Sequence, residues 1–241
     1  MRTVAIIQAR MGSTRLPGKV LMDLEGTTIL DRVITRAQRS KKLSEVVVAT
    51  TDLPEDDAIV DECVRLGVRC FRGSSDDVLD RYYQAAKWVE ADAIVRITSD
   101  CPLIDPAVID ELFYYGGESG GVDYISNIYL ERTYPRGLDV ELFGRSALER
   151  AWNEATDPAE REHVTLHLYR NPDKFMCGGA FRDESLAHHR WTVDTPEDLE
   201  LVRKIYHALG RDDFGLKDVL GLLELHPEWG EINAHIEQKK V

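Results

Sequence analysis

The order of apolar and polar positions along the first half of the chain predicts alternating strands and helices. Short apolar runs of four to six residues have the length and composition of buried strands. These predicted strands cover 4–8, 45–50, 68–71 and 93–98. Between and after them, apolar residues recur at helical spacing, which predicts helices over 29–39, 54–66, 76–89 and 106–115. This alternation predicts an α/β fold, with a mostly parallel sheet and helices on both of its faces.

The alternation is interrupted after Gly116, where the glycine-rich run 116–121 predicts a flexible connection. The pattern beyond it is less regular. It predicts strands at 124–128, 137–143, 175–181 and 190–193, and helices at 146–154, 160–169 and 196–209. We interpret the chain as one domain over 1–241, with a small inserted β element at about 116–145 and a polar, peripheral tail at about 226–241.

Length and composition describe an ordinary globular protein. The chain has 241 residues, of which 43% are hydrophobic and 30% charged, and it contains no apolar run of the ~18 residues that a membrane span requires. The apolar start is too short for a signal peptide, so we expect a cytoplasmic protein with no membrane contact. Its four cysteines lack C-x-x-C spacing, which argues against a zinc site.

The distribution of charge favours a small anionic ligand. The net charge is −13, yet residues 1–42 carry nine basic and three acidic residues, a net of +6. A chain this acidic is a poor binder of nucleic acid, which argues against such a partner. A locally basic start on an acidic body is suited to a small anion.

The loop at 8–19, directly after the first predicted strand, has the composition of a polyphosphate site. It contains two glycines, two hydroxyl side chains and three cations, which together allow close backbone approach and charge balance. A Walker A loop is excluded, because five residues separate Gly12 from Gly18 and Val20 stands where a hydroxyl is needed. The dinucleotide pattern G-x-G-x-x-G is also absent.

Two aspartates follow predicted strands. Asp100 comes just after the strand at 93–98, and Asp194 just after the one at 190–193. In open α/β sheets, ligands bind at the carboxyl ends of strands, although either aspartate could simply form a turn. Thr195 with Pro196 and Asp198 is explained by helix capping alone, and Asp194 lies outside that pattern.

The loop at 8–19, with its core Ser-Thr-Arg-Leu-Pro-Gly-Lys at 13–19, closely resembles the first motif of CMP-Kdo and CMP-sialic acid synthetases. Within that cytidylyltransferase superfamily it is most similar to the group of spore coat polysaccharide biosynthesis protein F. The resemblance implies a Rossmann-like fold of the nucleotide-diphospho-sugar transferase type and a homodimer. It also implies that CTP phosphates are bound by Arg10, Gly12, Ser13, Arg15 and Lys19.

The resemblance further implies that Asp100 and Asp194 hold Mg²⁺. The Asp-x-Pro-Leu element at 100–103 and the Val-Asp-Thr-Pro-Glu-Asp element at 193–198 are similar to the metal-binding elements of these synthetases. Mg²⁺ in proteins usually takes one or two carboxylates together with phosphate oxygens. The residues themselves indicate only that both aspartates are acidic and follow strands.

Residues for the base and the acceptor are expected in two further runs. By resemblance, Ser74 and Arg81 border the cytosine, although Ser74 with Asp77 is also explained as a capping box that begins a helix. The run 134–141 offers Arg136, Asp139 and Glu141, which could bind a sugar hydroxyl array or a carboxylate, or could merely form the polar face of an edge strand. The polar run 161–163 is another candidate for the acceptor side.

The function expected from these features is a Mg²⁺-dependent cytidylyltransferase of surface polysaccharide biosynthesis. CTP and the hydroxyl of a small acidic sugar would give a CMP-activated product and pyrophosphate, with Arg15, Lys19 and Asp100 as the catalytic residues. Two alternatives remain at this point. One is a glycosyltransferase that uses a nucleotide sugar, for which the run 139–141 is a weak metal motif. The other is a non-catalytic nucleotide-binding module.

Overall fold

A seven-stranded sheet organises the protein, which a computed structural model describes at residues 1–116 and 121–238. The strands lie in the order β3-β2-β1-β4-β6-β5-β7, and β6 runs antiparallel to both of its neighbours, whereas the other paired strands are parallel. The strands are β1 (Thr3–Gln8), β2 (Glu45–Thr51), β3 (Cys70–Gly73), β4 (Ala93–Thr98), β5 (Tyr124–Ser126), β6 (Glu141–Gly144) and β7 (Cys177–Gly179).

Helices connect and flank the strands. They are α1 (Ile29–Ala37), α2 (Asp57–Leu66), α3 (Val78–Trp88), α4 (Pro106–Gly116), α5 (Arg145–Glu154), α6 (Pro158–Glu162), α7 (Leu166–Arg170), α8 (Pro196–Leu209), α9 (Leu216–Leu225) and α10 (Pro227–Gly230). Short 3₁₀ turns at Lys19–Leu21 and Pro54–Asp56 follow β1 and β2. The predicted α/β fold with a mostly parallel sheet is confirmed.

The sheet separates two hydrophobic cores. Ala5 and Ile7 of β1 face one core, while Val4 and Ile6 face the other, because successive side chains of a strand point to opposite faces. Both faces of β1 and β4 are therefore covered, as expected for central parallel strands. This burial explains why the sequence of these strands is almost continuously apolar.

Several predicted elements differ from the structure. Residues 190–193 form no strand, and only a single bridge joins Arg190 to Arg136. The predicted helix at 160–169 is two short helices, α6 and α7, interrupted at His163. The predicted strand at 137–143 is regular only from Glu141 onward. Helix α9 lies in a stretch for which no helix was predicted.

The inserted element extends the main sheet, since β6 pairs with β4 and β5 pairs with β6. Part of the predicted flexible run, residues 117–120, lies outside the described residues. The tail is not wholly peripheral, because Asn233 is 3% exposed and hydrogen bonded within the fold. None of the described helices combines the length and apolar character needed to cross a membrane.

Gly137 lets the inserted element approach the segment at 190–194 closely. Its φ of +105° belongs to the region that favours glycine. A Cβ atom there would lie only 2.6 Å from the backbone nitrogen of Thr192 and 2.6 Å from the carbonyl carbon of Trp191. The residue therefore satisfies two constraints, one on its own backbone and one on the neighbouring segment.

We expect Gly137→Ala to destabilise the protein by more than the roughly 1–3 kcal/mol that an unfavourable φ alone costs, because backbone atoms must also move. Gly210→Ala is the matched control. Gly210 also has a positive φ, +59°, but nothing lies within 4 Å of its Cβ position. Urea unfolding of the two variants measures the difference, and equal losses of stability would contradict the close-approach argument.

Candidate active site

The loop that follows β1 lies at the carboxyl edge of the sheet. Its chain reverses at Gly18, whose φ of +68° is left-handed and whose N–H donates to the carbonyl of Met11 at 3.1 Å. Within the loop, the N–H of Leu16 donates to Ser13 Oγ at 3.4 Å. The 3₁₀ turn that begins at Lys19 then directs that side chain back over the sheet edge.

A buried carboxylate fixes the start of this loop. Asp56 is 0% exposed, and its Oδ1 accepts the N–H of Met11 at 2.6 Å. Its Oδ2 accepts the hydroxyl of Thr51 at the end of β2. The loop is thus attached to a second strand end, which nothing in its own sequence indicated.

Lys19 joins the two predicted metal aspartates. Its Nζ donates to Asp100 Oδ2 at 2.7 Å, to Asp194 Oδ1 at 2.8 Å and to the carbonyl oxygen of Val193 at 2.8 Å. Asp100 is positioned by Thr98, whose hydroxyl donates to Asp100 Oδ1 at 2.6 Å. Residues far apart in the sequence therefore converge on one ammonium group.

Two arginines complete the surroundings of Asp194. The Nη2 atoms of Arg15 and Arg190 lie 2.9 Å and 2.8 Å from Asp194 Oδ2. The backbone of this segment is held as well, because the N–H of Val193 donates to the carbonyl of Asp100 at 2.8 Å. Asp194 is thus surrounded by three cations.

This arrangement shifts the pKa values of Lys19 and Asp194. Burial lowers the pKa of the Lys19 ammonium, but Asp100 and Asp194 outweigh burial and raise it above its ordinary value. Burial raises the pKa of the Asp194 carboxyl, whereas Lys19, Arg15 and Arg190 outweigh burial and lower it. Both groups are therefore held in their charged forms.

The loop borders a cleft of about 330 Å³ that we call the first cleft. Five predicted phosphate residues line it, namely Arg10, Gly12, Ser13, Arg15 and Lys19. Asp100, Asp194 and Arg81 also line it, and so does His163 from the break between α6 and α7. The structure thus brings these predicted residues together.

A second cleft of about 620 Å³ adjoins the first. It is lined by the predicted acceptor residues Arg136, Asp139 and Glu141. Both clefts share one wall, formed by Arg15, Arg96, Thr98, Asp100, His163 and Asp194. The two clefts therefore adjoin at the two aspartates.

The carboxylate of Glu141 accepts hydrogen bonds from protein side chains on both of its oxygens. It is 3% exposed, and its Oε1 accepts from the Tyr124 hydroxyl at 2.8 Å and the Thr165 hydroxyl at 2.6 Å. Its Oε2 pairs with Arg96. In the structure Glu141 fixes Arg96 in the shared wall, and a contact between Glu141 and the acceptor stays a prediction. Arg96 itself was not among the predicted site residues.

Asp139 and Arg136 differ in their partners. Asp139 forms a two-point ion pair with Arg132, at 2.5 and 2.8 Å. Arg132, like Arg96, was not among the predicted site residues. The guanidinium of Arg136 has no hydrogen-bond or ion-pair partner among residues 1–116 and 121–238. Arg136 is therefore the cation in the second cleft that is available to an anionic group.

The two residues predicted to border the cytosine, Arg81 and Ser74, lie in different places relative to the first cleft. Arg81 is 2% exposed, lines the first cleft and has a buried Nε without a partner in the described part of the chain. Ser74 lines neither cleft, so the structure does not place it at the site. The predicted Ser74–Asp77 hydrogen bond is present at 3.0 Å, but α3 begins later, with Asp77 as its N-cap.

The oxygen atoms around Lys19 Nζ are suited to binding a divalent cation such as Mg²⁺. The ammonium donates to three oxygens, two of them from carboxylates. Oxygen atoms are also the ligands that Mg²⁺ prefers. The described residues contain no group of three or more histidine, cysteine or acidic side chains that could hold a metal by themselves. A metal bound between Asp100 and Asp194 would complete its shell with phosphate oxygens and water, as is usual for Mg²⁺.

Comparison with known proteins identifies the class. A family model described as cytidylyltransferase matches residues 4–220. A solved cytidylyltransferase from Leptospira borgpetersenii superposes with a TM-score of 0.91 at 34% identity, and all of both chains is covered. The chain therefore belongs to the cytidylyltransferase family, enzymes that use CTP as a nucleotidyl donor.

Two curated relatives narrow the comparison. The spore coat polysaccharide biosynthesis protein SpsF of Bacillus subtilis is 34% identical, with 92% of this chain and 94% of the relative covered. The 3-deoxy-manno-octulosonate cytidylyltransferase of Geobacter sulfurreducens is 32% identical, with 84% and 98% covered. The predicted family is confirmed, and the glycosyltransferase alternative is not supported.

The lowered pKa of Asp194 predicts how stability depends on pH. The ionised carboxylate stabilises the fold above the ordinary aspartate pKa of about 3.9, and this contribution is lost as the pH falls through the lowered value. We expect Asp194→Asn to cost about 1.5–3 kcal/mol at pH 7, the scale of hydrogen bonds to charged groups. The cost should shrink as the pH falls below about 4.

Urea unfolding of the wild type and the variant at pH 7, 5, 4 and 3 measures this difference. Asp173→Asn is the matched control, since Asp173 is exposed and lines neither cleft. A difference that stays constant between pH 7 and pH 3 would argue against a stabilising role of the ionised Asp194.

Proposed function

We propose that this protein is a Mg²⁺-dependent cytidylyltransferase that couples CTP to the hydroxyl group of a small acidic sugar, in surface polysaccharide biosynthesis. The observation that carries the proposal is the shared wall between the two clefts. Its aspartates, Asp100 and Asp194, lie where a nucleotide in the first cleft and an acceptor in the second would meet.

CTP would occupy the first cleft. Arg10, Ser13, Arg15 and Lys19 would bind its phosphates, and Arg81 would lie beside the base. Arg10 is exposed and has no ion-pair partner among the described residues, so its charge is available to a phosphate. Lys19 would move from the two carboxylates toward the phosphate oxygens when the nucleotide enters.

Asp100 and Asp194 would hold Mg²⁺, which when bound offsets the negative charge of the triphosphate. The proposal is supported by the convergence of both carboxylates on Lys19 Nζ, at 2.7 and 2.8 Å. Lys19 is the one cation in this group that contacts both carboxylates. Replacement of that ammonium by a metal would leave Lys19 free for the leaving pyrophosphate.

The acceptor would bind in the second cleft, with Arg136 facing its carboxylate. The guanidinium of Arg136 has no hydrogen-bond or ion-pair partner among the described residues. The Geobacter relative carries the name of an enzyme for an acidic sugar, and the Bacillus relative is named for spore coat polysaccharide biosynthesis. The first name supports an acidic sugar as the acceptor, and the second supports a role in polysaccharide biosynthesis.

The reaction would be a single displacement. The acceptor oxygen forms a bond to the α-phosphorus of CTP as the bond to the bridging β-phosphate oxygen breaks, and the hydroxyl proton is lost. CMP-acceptor and pyrophosphate result. No covalent enzyme intermediate is needed, because positioning and charge stabilisation supply most of such catalysis.

A two-stage screen tests the proposal. The first stage measures the melting temperature with each of the four common nucleoside triphosphates, with and without Mg²⁺, and we expect CTP to stabilise most. The second stage supplies CTP with a panel of sugar acids, including 3-deoxy-manno-octulosonate, and measures pyrophosphate release. Stabilisation by another nucleotide, or release only with neutral sugars, would contradict the proposal.

We expect Asp100→Asn to lower pyrophosphate release by about 100-fold, the scale of one lost preorganised charge contact in a transition state. The variant keeps the size of the side chain but loses its charge. Steady-state assays at saturating Mg²⁺ measure the effect, with Asp173→Asn as the matched control outside both clefts. Turnover close to that of the wild type would reject the metal role of Asp100.

We expect Arg136→Gln to raise KM for the acceptor by about 10- to 100-fold, because one charge-assisted interaction is removed. The affinity for CTP should stay unchanged, since Arg136 lines only the second cleft. Kinetics with the acceptor found in the screen give KM, and calorimetry gives the CTP affinity. Arg170→Gln removes an exposed cation outside both clefts and serves as the control. An unchanged KM would remove Arg136 from the acceptor site.

A further inference from the structure

The carboxyl-terminal tail reaches the active-site edge of the sheet. Asn233 is buried, and its Nδ2 donates to the carbonyl of Arg190 at 2.9 Å and to Asp198 Oδ1 at 2.8 Å. Gln238 lines the second cleft, and its Oε1 accepts from Arg190 Nη1 at 2.7 Å. The family match ends at residue 220, so these tail contacts lie beyond the matched region.

Arg190 connects the tail to Asp194. Its Nε donates to Asp198 Oδ1 at 2.9 Å, and its Nη2 donates to both Asp198 and Asp194. Only Nη1 faces Gln238. A guanidinium is planar with fixed N–H directions, so a partner at Nη1 restricts the plane and thereby the direction of the Nη2 bond to Asp194.

Asp198 fixes the backbone of the same segment. It is 0% exposed, and its Oδ2 accepts the N–H groups of Asp194 at 2.9 Å and Thr195 at 3.1 Å. Asn233 contacts Asp198 through the other oxygen. The backbone of Asp194 thus depends on Asp198, its side chain depends on Arg190, and the tail contacts both.

We propose that Asn233 and Gln238 are positioning residues for Asp194, which they orient through Arg190 and Asp198. The inference rests on the proposed metal role of Asp194 and extends it to a part of the chain outside the family match. The tail is then a part of the catalytic apparatus, although neither tail residue is assigned a contact with the reacting atoms.

The chemistry of Gln238 allows a sharp test. Arginine only donates hydrogen bonds, so the exposed Gln238 contributes to this contact as an acceptor. Gln238→Ala removes that acceptor, whereas Gln238→Glu retains one of similar size. Glu237→Ala is the matched control, because Glu237 is its exposed neighbour and lines neither cleft.

Two measurements on the 241-residue protein test the proposal without the acceptor. Calorimetry gives the affinity for Mn²⁺ in the presence of CTP, and hydrogen exchange reports on the backbone amides of residues 190–195. We expect Gln238→Ala to weaken Mn²⁺ binding about 10-fold, the scale of one charge-assisted hydrogen bond, and to speed exchange in 190–195 several-fold. Gln238→Glu should restore both toward wild-type values, and Glu237→Ala should change neither.

Exchange and affinity that are the same in Gln238→Ala as in Glu237→Ala would overturn the proposal. The proposal would also be overturned if Gln238→Ala speeds exchange but leaves the Mn²⁺ affinity unchanged, while Asp194→Asn weakens Mn²⁺ binding. If Asp194→Asn leaves the Mn²⁺ affinity unchanged while Gln238→Ala still speeds exchange, the hold of the tail on 190–195 is supported. In that case the metal role of Asp194 is rejected instead, so the two failures can be told apart.

Discussion

The three hydrogen bonds of the Lys19 ammonium are the interaction on which the site depends. They join the loop after β1, the end of β4 and the segment before α8 at a single point. Two carboxylates placed this close would repel each other without a cation between them. Lys19 offsets that repulsion, and a metal with a nucleotide would offset it in the same place. Lys19 can reach both carboxylates because the loop is held in place by the left-handed turn at Gly18 and by the hydrogen bond to Asp56 near its start.

The parallel strands make this convergence possible. Since β1, β2 and β4 run in the same direction, their carboxyl ends lie at one edge, where the loop, Thr51 and Asp100 all meet. The antiparallel β6 then adds the inserted element beside β4 and brings the second cleft to that edge. One wall serves both clefts, so the proposed nucleotide and acceptor sites lie directly beside each other.

Charged residues near the site fall into two groups. Some line a cleft without a protein partner, and others form hydrogen bonds that orient neighbouring side chains. Glu141 was expected to bind the acceptor, yet its oxygens accept from three protein side chains and orient Arg96. Arg190 similarly supports Asp194, and Asp198 supports both. The guanidinium of Arg136 has no such partner in the described part of the chain, which is why we propose that it binds the acceptor. Type and spacing along the sequence do not distinguish these roles, because the distinction lies in the partners.

The sequence by itself determined the α/β alternation, the position of the loop at 8–19 after β1 and the strand-end position of Asp100, since each is set by local periodicity or local composition. The helix start at Thr195 and Pro196 was also predictable, because capping is a local hydrogen-bond pattern. Only the tertiary structure decided that Asp100 and Asp194 share one cation, that Glu141 is buried against Arg96, and that the tail reaches Arg190. These contacts join residues 45 to 175 positions apart. Such pairings depend on how the strands and helices pack, which local patterns do not encode.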